Sequence, residues 1–152
     1  MIWLLLLLPA LWLLFNLVAP YVPLIEAERV SPGRLPRELL ARGEAKYISF
    51  YIGPTRFSYA YSAWAPGKGT VVIFNREFFR RAPPDLVKWV VGHELGHAAA
   101  GHHRWRWAAI VSGAVLIPWV RRRLEKHERS ADTYALLLTG IKKERFAQFL
   151  KG

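Results

Sequence analysis

His93-Glu94-Leu95-Gly96-His97 is the stretch around which this chain is organised. Two histidines four apart on a helix project from one face a turn apart, so both imidazoles can reach one metal ion while the glutamate between them reaches the ion's open side. This is the HExxH zinc signature, and it gives Glu94 the part of general base. With five histidines and nine glutamates among 152 residues, chance would produce the pattern in roughly one chain in a hundred, so the flanking sequence must carry part of the argument.

Working outward, Pro84 is placed to be the first helical residue, and Asp85 falls in the first turn, where the helix dipole favours negative charge. Leu86, Val90, His93 and His97 then recur at helical spacing, so an apolar face runs into the ligand pair. Gly92 and Gly96 each cost about 1 kcal/mol in a helix, and the expected compensation is close approach of another element. Farther on, Glu128 and Asp132 are four apart and share a helix face. Taken alone they read as an exposed polar face with partners such as Lys126 or Arg129. Beside the histidine pair, Glu128 reads as the third protein ligand and Asp132 as the acceptor of a zinc-bound histidine's outer N–H. The absence of cysteine leaves His, Asp and Glu as the ligand set.

HELGH at 93–97 followed by Glu128-x-x-Ala131-Asp132 resembles the HtpX-like and CAAX prenyl protease family of integral-membrane zinc metallopeptidases. Ser62-Ala63-Trp64-Ala65, a glycine turn, Gly69 to Ile73, and Ala82-Pro83-Pro84-Asp85-Leu86 extend the likeness over roughly residues 46–138. The resemblance implies one Zn2+ per chain held by His93, His97 and Glu128, with Glu94 as base and Asp132 behind the ligands. Ser62 stands where family members often carry Asn. A single apolar run, Trp107 to Val120, stands where they commonly have two spanning helices.

Before Glu26 there is no charged residue, and residues 2–18 are almost wholly apolar, reaching roughly 26 Å as a helix. With no basic start and with Pro20 and Pro23 crowding the exit, an uncleaved anchor is expected over residues 1–25. Arg29, Arg34, Arg37, Arg42 and Lys46 all follow the span, so the positive-inside rule predicts a single-pass protein of the cell membrane with its catalytic domain on the cytoplasmic side. The net charge of +11 comes with no nucleic-acid module pattern, which points to the lipid bilayer rather than nucleic acid as partner. Trp107–Val120 is too short to cross and contains Pro118, and tryptophans and Arg121-Arg122-Arg123 bracket it, so it is expected to dip into or lie against the same leaflet.

The fold class expected is α+β: an N-terminal transmembrane helix, a small three-stranded sheet, then a helical zincin-type core with a short membrane-associated apolar segment. Residues 26–45 read as linker and short helix, with Pro36 near its start and Gly43 past its end, and 46–152 as the zinc metallopeptidase domain. Strands are expected at Lys46–Ile52, Phe57–Trp64 and Thr70–Phe74. An extended substrate would lie along the second of these as an added strand, at Ser62, Ala63 and Trp64. The leading function is a membrane-anchored zinc endopeptidase acting on membrane-associated or unfolded proteins. The alternative is a zinc-binding pseudoprotease or client-binding scaffold that does not cleave. For a second donor to the oxyanion no sequence feature picks a residue, Tyr134 and Arg145 being weak candidates. His102 and His103 read as surface residues.

Overall fold

The computed structural model describes residues 2–54 and 59–147. Helix α1, Ile2–Val18, is apolar but for Asn16 and passes into a 3-10 turn at Ala19–Leu24. The chain then forms β1 (Glu28–Arg29), α2 (Arg37–Leu40), β2 (Ile48–Gly53), β3 (Ala60–Ala65) and β4 (Gly69–Asn75). Helices α3 (Arg76–Arg81), α4 (Pro84–Ala99), α5 (His102–Val111) and α6 (Pro118–Thr139) follow. The protein is α+β and mostly helical. One apolar stretch, Leu7–Leu24, has the length and mean hydropathy (1.7) to cross a membrane.

The sheet has four strands in the order β1-β2-β4-β3, not the three expected. The extra strand is Glu28–Arg29, which pairs antiparallel with β2. Two exposed polar residues carry no alternation that periodicity could detect. Central β4 is apolar on both faces because both are covered. Val72 and Phe74 join Ile48, Phe50, Leu86 and Val90 in the core under α4, while Val71 and Ile73 pack with Ala65, Tyr21 and Leu24 on the other side. β2 runs parallel to β4 and β3 antiparallel to it, which leaves β3 at the sheet's edge. Of the second expected strand, Phe57 and Ser58 lie outside the described residues; the observed strand starts at Ala60.

Helix α3 was not expected from periodicity. Its cue is local: Asn75 Oδ1 accepts from the backbone N–H of Glu77 and of Phe78, both at 3.0 Å. The short helix occupies Arg37–Leu40 with Pro36 at its N-cap, and α4 begins at Pro84 with Asp85 in its first turn. The apolar run Trp107–Val120 is not one helix. Helix α5 ends at Val111, Gly113 takes a positive φ of 73°, and Pro118 opens α6, so the chain turns through an elbow that exposes Leu116, Ile117 and Trp119. Trp12 Nε1 of α1 donates to the Val111 carbonyl at 3.1 Å, tying the apolar N-terminal helix to that elbow.

The closest helix pair is α4 and α6. A Cβ added at Gly96 would stand 2.9 Å from Tyr134 Cβ and 3.1 Å from Ala131 Cα; at Gly92 the nearest atom is the Thr139 methyl at 3.1 Å. Both helical glycines therefore exist for close approach, with Ala131 and Ala135 fully buried opposite them. We expect Gly96→Ala to lower stability on the order of 1 kcal/mol, an overpacking cost of about 1–3 kcal/mol partly offset by the better helix propensity of Ala. Gly92→Ala meets a side-chain methyl at 3.1 Å with the nearest backbone atom at 3.4 Å, so it should cost less than Gly96→Ala. Thermal unfolding of the two variants in one detergent checks the ranking, and equal losses would contradict it.

Candidate metal centre

The α4–α6 seam brings three side chains to one point. His93 Nε2 and His97 Nε2 are 3.0 Å apart, and Glu128 Oε2 is 3.5 Å from each. His93, His97 and Glu128 thus form a donor group that can hold a metal ion. Two donors each ~2.0–2.1 Å from one tetrahedral zinc ion stand about 3.3 Å apart, so the observed spacings fit zinc with small adjustment. The donor set fits as well: two imidazoles and one carboxylate leave a fourth position open.

Behind the donors, each histidine's outer nitrogen faces another polar side chain. Asp132 Oδ1 lies 2.8 Å from His93 Nδ1, and Asp132 Oδ2 accepts from Lys143 Nζ at 2.7 Å. Lys143 also sits over the Trp89 ring at 5.6 Å. His97 Nδ1 is 3.1 Å from His102 Nδ1. When His97 binds through Nε2, its Nδ1–H needs an acceptor, and only neutral His102 with its proton on Nε2 provides one. Burial, then the neighbouring His127 and His97, hold His102 down at about 4, so it is neutral near pH 7. The His127 ring stacks on it at 3.8 Å.

Glu94 is buried between the histidines, 5% exposed. Burial pushes its carboxyl up, but the His103 side chain and the charges of His93 and His97 outweigh that and hold it below the ordinary carboxylate range. Glu128 is also held low, chiefly by its contacts to His93 and His97, and its Oε1 is 3.7 Å from Arg106. A carboxylate kept ionised in a closed site is equipped to accept a proton.

His102 and His103 are not surface residues. The chain leaves α4 through Gly101, whose φ of 65° reverses it at once, so the first turn of α5 folds back onto the end of α4. His102 becomes half-buried and His103 buried, with His103 Nε2 3.4 Å from Glu94 Oε2. A glycine just past the helix was the available cue, but it does not give the direction of the returning chain. Arg145 is not at the centre: it pairs at 3.1 Å with Asp85, in the first turn of α4. Tyr134 packs on Gly96, and its hydroxyl accepts from Arg42 at 3.3 Å.

Ser62, Ala63 and Trp64 lie on edge strand β3, beside α5. Trp64 meets Trp107 edge-on at 5.0 Å, with one cavity to each side. One, of about 160 Å³, is lined by Asn16, Ser62, His103 and Arg106. The other, of about 410 Å³, is lined by Tyr47, Thr70, His97, His103 and Arg104.

A family model described as Peptidase family M48 matches residues 38–149. No curated protein matches the chain.

In the metal-free protein, burial lowers the pKa of His93, but Asp132 and Glu128 more than compensate and push it up to about 9. A group raised this way stabilises the metal-free fold fully below its ordinary 6.5 and loses that contribution as pH rises towards 9. Zinc competes with the same proton, so its dependence has the opposite sign. Apparent zinc affinity should rise about tenfold per pH unit up to about pH 9 and level off above it, with one proton released per ion. Calorimetry in two buffers of different ionisation enthalpy counts that proton. Affinity flat from pH 7 to 9 would show that His93 is not the competing group.

Proposed function

This chain belongs to peptidase family M48, and from that membership and the geometry of the centre we propose that it is a membrane-anchored zinc endopeptidase acting at the cytoplasmic surface. The carrying observation is the convergence of His93, His97 and Glu128 around the buried carboxylate of Glu94. His93, His97 and Glu128 hold the ion, and Asp132 and His102 fix the two imidazoles through their outer nitrogens. When bound, zinc supplies a Lewis acid that polarises a peptide carbonyl and acidifies water.

Glu94 takes one proton from the attacking water as its oxygen bonds to the carbonyl carbon. As the C–N bond breaks, the same carboxyl passes that proton to the leaving nitrogen, so Glu94 ends ionised as it began. An extended substrate pairs with the outer edge of β3 along Ser62, Ala63 and Trp64, backbone to backbone, which gives affinity with little sequence preference. The cavities flanking Trp64 take its neighbouring side chains. Membrane-associated or unfolded chains suit such a site, because only an unpaired segment can add to a strand edge.

Support for the anchor comes from α1, whose apolar side chains from Leu7 to Val18 are mostly left exposed by the described residues. Such a surface belongs in hydrocarbon. The elbow is exposed too, at Leu116 (83%) and Trp119 (61%), and it is bonded to Trp12 within the apolar stretch. Arg121, Arg122 and Arg123 follow, arginines suited to lipid phosphate. The elbow therefore enters the leaflet beside α1 and returns, keeping both metal-binding helices on one side.

Two outcomes test this reading. Glu94→Gln should retain zinc and fold but lose cleavage of an unfolded model protein, since the amide keeps the shape and cannot take the proton; wild-type turnover by this variant would refute the mechanism. For topology, single cysteines replacing Ala100 and Lys126 should both react with an impermeant thiol reagent only when the cytoplasmic face is open. Labelling of the two from opposite faces would break the shared site.

A further inference from the structure

We infer that His103 is the positioning residue of the Glu94 base, a role that rests on the peptidase reading above. His103 is 5% exposed, and its Nε2 lies 3.4 Å from Glu94 Oε2. Both atoms are buried, and neither makes a formed hydrogen bond to any described group, so the 3.4 Å between them is a close approach of two unsatisfied polar atoms. Leaving either unsatisfied costs about 1–3 kcal/mol of desolvation, and a small rotation of the imidazole closes the 3.4 Å approach into a bond that would satisfy both. His103 is not among the metal donors, yet its ring centroid is 5.1 Å from that of His97 and it borders both cavities flanking Trp64. It stands where the base, the ligand shell and the path of an extended peptide meet.

The chemistry follows from the two oxygens of one carboxylate. A general base works when one oxygen faces the water at a fixed angle, and a carboxylate free to swing spends time misaligned. A ring N–H turned onto Oε2 fixes the carboxylate plane and leaves the second oxygen to the water. The imidazole is itself fixed, since the Gly101 turn sets the start of α5 and the α5 residues Trp107 and Ala109 are partly or fully buried. Only an Nε2–H is required, so a neutral ring serves. Burial of the pair keeps bulk water from competing for the same oxygen.

The test uses the zinc-loaded full chain in lipid nanodiscs. His103→Leu, which fills the space without a donor, should lower kcat about 10 to 100-fold while KM changes less than twofold and zinc content stays at one per chain. His103→Gln, whose amide N–H can reach the same oxygen, should recover most of the loss. Unchanged kcat in the leucine variant overturns the assignment, and so does a loss of zinc and kcat together that glutamine fails to restore. A second readout is independent of turnover: the His103 Nε2–H resonance of the ¹⁵N-labelled protein should shift in Glu94→Gln. An unmoved resonance overturns the contact. A wild-type protein that binds zinc and shows this coupling but cleaves nothing would count against the peptidase reading while upholding the contact itself.

Discussion

Everything at the centre depends on α4 and α6 meeting with almost no side chain between them. Gly96 lies against Ala131 and the base of the Tyr134 side chain, and Gly92 against Ala135 and Thr139, so the helices run in opposite directions along a tight seam. The donors are set by their offset from that contact. His93 and His97 lie three before and one after Gly96, and Glu128 and Asp132 lie three before and one after Ala131. Because the helices are antiparallel, the leading residue of each pair faces the trailing residue of the other. His93 thus meets Asp132, and His97 meets Glu128. Metal ligation tolerates a few tenths of an ångström, so a side chain that widens this seam acts directly on the donor spacing.

Crowding four histidines and three carboxylates around buried Glu94, His97 and His103 requires that each charge find a partner. Asp132 is shared between His93 and Lys143, and Glu128 between the two ligand imidazoles and Arg106. Lys143 comes from beyond the end of α6, so the C-terminal segment is part of the ligand shell's support rather than an appendage. His102 works the other way. It contributes no charge, being held neutral by burial and by His127, and that neutrality lets it accept from His97.

Much of this was legible in the sequence, for reasons tied to particular residues. The 93–97 motif, the start of α4 at Pro84 and the need for close packing at Gly92 and Gly96 follow from helical geometry and propensity, which act over a few residues. Glu128 and Asp132 became readable once their spacing was set against the histidine pair. The strand at Glu28–Arg29 was not, because pairing of two exposed residues with β2 is a decision of tertiary structure. Nor were His102 and His103. Their burial depends on where α5 goes after Gly101, and a positive φ says that the chain turns without saying what it turns towards. The apolar run at 107–120 misled in part for the same reason: its composition showed, but its division at Gly113 did not.

The strand order also dictates when the scaffold becomes whole. β2 and β3 are neighbours in sequence but not in space, since β4, made after both, lies between them. Until residues through Asn75 have been made, the two earlier strands have no shared ladder. Asn75 is also the cap of α3, with α4 close behind. The strand that joins the sheet into one ladder is therefore followed closely in the chain by the helix bearing His93 and His97, whose Leu86 and Val90 rest on that sheet's apolar face.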